Sequence, residues 1–199
     1  MALTEIQAAL AKLYTDAALR ARWLADPPAL AAELSLATEE SQQLAGQADQ
    51  LRAFAASLQQ KRLQDVAKLL PRSYAAWGQQ FGEVFRRHAA QYLPQGQHKQ
   101  RADALAFSAF VERLRPDDVG VSPWLIDVLR YEAACLQAAD PGCRWLLRRF
   151  HYAVNHPLDG NSAAPPRPTL ALWVRLSRRR GPVHLVVPWH VSRSLPVVR

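Results

Sequence analysis

Cysteine, glycine and, beyond residue 140, acidic side chains are all scarce in this chain of 199 residues. The two cysteines, Cys135 and Cys143, flank an Asp140-Pro141-Gly142 turn. They are near enough in sequence to bridge, yet a pair without a secretory start is expected to stay as reduced thiols. Met1-Ala2-Leu3-Thr4-Glu5 has neither the basic start nor the apolar core of a secretory signal. No apolar run nears the roughly 20 residues of a membrane span. The expectation is a cytoplasmic protein. Eight glycines leave little material for a phosphate cradle, and no P-loop, GxGxxG or GxSxG occurs.

Donor clusters are missing as well. The histidines (His88, His98, His151, His156, His184 and His190) form no HExxH or HxH and do not pair with the cysteines at zinc-finger spacing. Asp127 and Glu132 lie about 140° apart around a helix, which is wrong for a paired-carboxylate site. Asp127 is better placed to pair with Arg130. The expectation is therefore a chain with no catalytic residues, no metal and no cofactor of its own.

What is present is a helical body with a basic end. The hydrophobic fraction of 49% is that of a globular chain with a real core. Residues 1–140 hold 15 Lys and Arg against 16 Asp and Glu, a net of −1. Residues 141–199 hold 10 Arg and no Lys against one acid, Asp159, a net of +9. A solvated surface mixes both signs, so this tail is expected to face an acidic partner. Arginine in place of lysine favours bidentate capture of carboxylate or phosphate.

Apolar periodicity predicts helices in the first two thirds. Thr4 and Gln7 read as a capping box before Ile6, Leu10, Leu13 and Tyr14. Asp16 caps a segment with Leu19, Trp23 and Leu24 that Asp26-Pro27-Pro28 stops. Leu30 and Leu34 mark a short turn, and Thr38-Glu39-Glu40 opens the next helix. A long helix runs from Gln47 to Leu70, and one over Ser73–Ala89 carries an aromatic stripe read as core. A glutamine-rich loop, Leu93–Gln100, separates these from helices at Arg101–Leu114 and, opened by Ser122-Pro123, as far as Ala138. Strands follow near Arg144–Asn155, at Thr169–Ser177 and at Val183–Val187, the last two joined by the basic tip Arg178-Arg179-Arg180-Gly181-Pro182. This is an α+β pattern, recognition-element or winged-helix-like. It has a helical domain at 1–93 and a domain of helices plus a three-stranded antiparallel sheet at 101–199.

A small sheet has an edge, and an extended peptide can add there as a further strand. Arg148, Arg149 and Arg175, with Trp145 and Trp173, are the expected contacts for an acidic peptide. Trp124, Tyr131, Trp189 and His190 are the expected aromatic anchors for a partner chain. The alternative is a winged-helix-like DNA binder that uses the basic hairpin. Against it, the Pro123–Ala138 helix is poor in base-reading side chains.

The runs LYTDAALRARWLADPPALAAELSL and LRAFAASLQQKRLQDVAKLLP resemble a helical domain of small bacterial proteins in peptide natural-product clusters. SPWLIDVLRYEAACLQ resembles the helix of their partner-protein group, in which a proline opens a helix with an acid and a Tyr or Trp beside Glu. Such proteins are similar to the partner subunits of multinuclear non-haem iron oxidative enzymes, which modify cysteines of ribosomally made peptides. The 3-thiaglutamate pathway partner is the nearest type. The resemblance implies a heterodimer in which a separate enzyme holds the iron. This chain would bind the precursor's leader and present its cysteine. In the usual recognition element the strands precede the helices, whereas here they come last. Members of the group also carry a DNA-binding label, which leaves the alternative open.

Overall fold

The computed structural model describes residues 2–115, 118, 120–154, 166–177 and 181–189. The fold is α+β: mainly helical, ending in a three-stranded antiparallel sheet. The chain forms two compact units, residues 1–65 with 85–95 and residues 66–84 with 96–199. That division differs from two consecutive stretches at 1–93 and 101–199, because segment 66–84 belongs with the C-terminal unit. No described helix is long and apolar enough to cross a membrane.

The first unit contains α1 (Ala2–Thr15), α2 (Ala17–Ala25), α3 (Pro27–Ala31), α4 (Thr38–Ala45) and most of α5 (Ala48–Leu69). Thr4 lies inside α1, so it is not a cap. Asp16 does cap α2, its Oδ1 accepting from Leu19 N at 2.9 Å. Asp26 both ends α2 and opens α3, accepting from Ala29 N at 3.2 Å, with Pro27 at the first helical position. Leu13, Trp23, Leu30, Leu44 and Leu51 form the centre of this unit's core. They are the positions the helical period selects.

The second unit contains α6 (Pro71–Trp77), most of α7 (Gln79–Ala89), α8 (Lys99–Arg113), α9 (Pro123–Ala138), β1 (Trp145–Phe150), β2 (Thr169–Val174) and β3 (Val183–Pro188). The single helix expected over Ser73–Ala89 is broken at Gly78. Its φ of 57° and ψ of −129° leave the helical region, and glycine alone adopts that conformation without strain. The aromatic stripe is core here, with Phe81 and Phe107 packed edge to face at 5.0 Å and Trp77 beside both. Tyr74 is the exception and stays half-exposed.

Helix α9 is the organiser of this unit, packing on α6, α8 and the sheet. Its two acids are buried and each holds backbone N–H groups of a distant segment. Glu132 accepts from Arg72 N and Ser73 N, both at 2.8 Å, and from Ser73 Oγ at 2.6 Å, which satisfies the first turn of α6. Asp127 accepts from His151 N at 2.6 Å, Tyr152 N at 3.2 Å and Arg130 Nη1 at 2.7 Å. The expected Asp127–Arg130 pair is thus present. The bonds from His151 and Tyr152 also explain why β1 stops at Phe150, short of Asn155, since those N–H groups go to the carboxylate and not to a ladder.

Candidate functional site

The sheet order is β1-β2-β3, with Trp145 opposite Val174, Phe150 opposite Thr169, Thr169 opposite Pro188 and Val174 opposite Val183. The pleat sorts its side chains onto two faces. One face carries Leu146, Arg148 and Phe150, then Thr169, Ala171 and Trp173, then His184 and Val186. It lies against α9, where Tyr131, Ala134 and Ala138 complete a core. The other carries Trp145, Leu147 and Arg149, then Leu170, Leu172 and Val174, then Val183, Leu185 and Val187.

Among the described residues, β1 and β3 are both edges. Arg175 N donates to Arg144 O and Trp189 N donates to Pro168 O, which fixes the phase of both ladders. The alternation of antiparallel pairs then turns the backbone groups of Trp145, Leu147 and Arg149 outward on β1, and those of His184, Val186 and Pro188 outward on β3. Two outward carbonyls on β1 are met by nearby side chains: Leu147 O accepts from Arg148 Nη1 at 3.3 Å, and Trp145 O from Cys143 Sγ at 3.5 Å. Pro188 has no N–H to offer, so the β3 edge is the poorer template.

The predicted peptide contacts separate into two groups. Trp145 is 69% exposed and Arg148 and Arg149 are exposed. Arg148 reaches Gln137 Oε1 at 3.1 Å on α9. Neither arginine has a carboxylate partner among the described residues. Trp173 and Arg175 belong elsewhere. Trp173 is buried against Tyr131, with the His184 ring stacked on it at 6.2 Å, because its position in the pleat points it at α9. The Arg175 guanidinium donates to Ala138 O at 2.9 Å, Asp140 O at 3.2 Å and Cys143 O at 3.3 Å. It closes the C-terminus of α9 and the following turn, as a cation there favours, and is not free to meet a ligand carboxylate.

The predicted partner anchors also separate by burial. Trp124 and Tyr131 are buried, on the faces of α9 that meet its neighbours. Tyr131 Oη lies 3.1 Å from His184 Nε2, and its ring packs on Phe150 at 5.9 Å. Trp189 is 42% exposed and remains available. His190 and the basic tip Arg178–Arg180 lie outside the described residues.

Cys135 and Cys143 are both free thiols. Burial pushes the Cys135 thiol pKa up, opposed in part by the Trp173 and Tyr131 side chains, and burial likewise raises the Tyr131 hydroxyl. The acid Asp140 beside them is held low, chiefly by the N–H of Gly142.

One surface escaped the sequence reading altogether: the outer face of the sheet. Ten large hydrophobic side chains are exposed among the described residues, and seven of them (Trp145, Leu147, Leu176, Val183, Leu185, Val187 and Trp189) fall on this face or continue its alternation. The signal was in β2, where Leu170, Ala171, Leu172, Trp173 and Val174 are apolar at both parities, the mark of a strand covered on two sides.

No protein-family model matches this sequence, and comparison with curated proteins and with solved structures gives no match.

Proposed function

We propose that this chain is a non-catalytic, cytoplasmic subunit that binds the acidic leader of a ribosomally made precursor peptide along the free edge of β1. It then presents the peptide's cysteine to a separate iron-dependent oxidative enzyme. The observation that carries the reading is the edge itself. Trp145, Leu147 and Arg149 turn their backbone groups outward, and two adjacent arginines flank them with no carboxylate partner among the described residues.

Main-chain hydrogen bonds would supply affinity there, and alternate side chains specificity. Aspartate or glutamate in the added strand would meet Arg148 on the helix side or Arg149 on the outer side. Trp145 offers a broad ring at the start of the edge. In this reading the iron and the oxidative chemistry belong to the partner, as the resemblance implies, and this chain contributes binding and orientation.

The test is a double charge reversal, Arg148→Glu with Arg149→Glu, against short acidic peptides, including any short open reading frame found near the gene, with binding followed by fluorescence anisotropy. Affinity should fall at least tenfold, about 1.4 kcal/mol. Unchanged affinity would remove the electrostatic part of the proposal. Binding of duplex DNA with a steep salt dependence, and none of peptide, would favour the nucleic-acid alternative.

A further inference from the structure

The order of residues along the open edge of β1 amounts to a recognition pattern. Trp145, Leu147 and Arg149 turn their backbone N–H and C=O groups away from β2 and their side chains to the outer face of the sheet. Leu146 and Arg148 lie between them, with backbone groups bonded to β2 and side chains on the α9 side. Trp145, Leu147, Arg148 and Arg149 are all exposed, and neither arginine has a carboxylate partner among the described residues. Read from Arg149 back to Trp145, the edge offers two cations on opposite faces, then two apolar side chains on the outer face.

We infer that this edge selects an extended peptide that runs antiparallel to β1 and carries two neighbouring acids, then apolar side chains at alternate positions: acid, acid, apolar, any, apolar. The inference rests on the peptide reading proposed above and names the class of peptide it takes. Antiparallel pairing is the more stable per residue, and it lets each outward residue of β1 exchange both backbone bonds with one ligand residue. The ligand positions then stand opposite Arg149, Arg148, Leu147, Leu146 and Trp145 in turn. The first acid meets Arg149 on the outer face, and the second meets Arg148 on the helix side. Apolar side chains at the third and fifth positions become cross-strand neighbours of Leu147 and Trp145. The fourth faces Leu146, which is half-buried in the core beside α9 and has no charge with which to select.

Arg148 couples the charge to the backbone. Its Nη1 donates to Leu147 O at 3.3 Å, a carbonyl that an added strand needs, while its Nη2 holds Gln137 Oε1 at 3.1 Å. A carboxylate at the second ligand position takes Nη1 in a stronger, charge-assisted bond, and the ligand's own N–H replaces it on Leu147 O. Other occupants lack the charge. A second copy of the edge brings arginines and no acid to it, and from residue 141 onward the sequence has a single acid, Asp159. One stretch of the chain does match the pattern, Asp117-Asp118-Val119-Gly120-Val121. It is not extended: Asp118 N donates to Arg115 O at 3.0 Å in a turn, and Gly120 has a φ of 68°. The occupant is therefore a separate peptide.

The test titrates the full chain into fluorescein-labelled peptides and follows anisotropy. One peptide is Asp-Glu-Val-Thr-Leu between Gly-Ser flanks, and the other holds the same residues in reverse order. The forward peptide should bind roughly tenfold more tightly or better. N-methylation of its first, third or fifth residue should weaken binding by about tenfold or more, because those N–H groups bond the edge. N-methylation of the second or fourth should change affinity by less than about threefold, since their N–H groups point away. Charge reversals complete the test at two exposed sites, with circular dichroism to confirm folding. Arg148→Glu should be rescued by Lys at the second ligand position and not the first, and Arg149→Glu by Lys at the first and not the second. Tight binding of acidic peptides in either order, or rescue from either position, would overturn the pattern and leave the peptide reading standing. N-methylation without effect at every position would remove strand addition, and both readings with it. Failure of every acidic peptide to bind would likewise overturn both.

Discussion

Asp127 and Glu132 show how far a residue's type falls short of its role. Both are acids on one helix, buried and of the kind that elsewhere serve catalysis, yet each is occupied in tying a remote backbone segment to α9. Their helical spacing excluded a joint site, and that much was legible. Their partners were not, since Ser73 lies 59 positions from Glu132. Glu132→Ala should leave the buried Ser73 N–H and the half-buried Arg72 N–H without an acceptor and lower unfolding stability by about 2–4 kcal/mol, read in a urea titration. Arg175→Ala should cost roughly 1–3 kcal/mol in the same measurement, because three carbonyls lose a donor. It should leave precursor affinity unchanged, and a loss of affinity in a folded variant would return Arg175 to the binding site. The Cys135 thiol, raised by burial, holds less thiolate than an ordinary cysteine near pH 8. Its alkylation by iodoacetamide should be slower than that of a free thiol and should accelerate as pH rises past the usual value of roughly 8.5. Rapid alkylation at pH 7.5 would contradict its burial.

At the scale of elements, most patterns that need only local information match the structure, the Thr4 cap excepted, and those settled by a distant partner do not. The capping role of Asp16, the proline opening of α9 and the two strands of the hairpin follow from neighbours in sequence. The helix over Ser73–Ala89 reads as continuous because its apolar period runs through Gly78, whereas the backbone turns there at positive φ. Gly78→Ala meets no steric neighbour, so its cost is conformational alone. Stability should fall by about 1–2 kcal/mol, and a neutral or stabilising result would mean that α6 and α7 can straighten into one helix. The strand at β1 was overextended because its end is set by Asp127, on another element. Trp173, expected at a ligand, and Tyr131, expected at a partner, both lie buried, and the sequence hides this for a similar reason. In a strand apolar at both parities, or a helix apolar on most sides, the sequence does not say which face turns inward. The structure turns those two rings toward each other, 5.7 Å apart.

For the whole molecule, the uneven charge was the most informative feature of the sequence, and the sheet explains where part of it sits. Arg148 and Arg149 flank an open edge, while Arg175 is absorbed into the fold. The α+β class and the helical body were legible from period and composition. The assignment of segment 66–84 to the C-terminal unit was not, because the bonds from Arg72 and Ser73 to Glu132 that hold it leave no local trace.

The most direct measurement of the central claim is purification of the chain co-expressed with its genomic neighbours, with the mass and metal content of whatever leaves the column. The account predicts a one-to-one complex whose iron stays with the partner when the two chains are separated, and which binds the precursor peptide through this subunit. A solitary chain that ignores the peptide and binds duplex DNA with a steep salt dependence would contradict it.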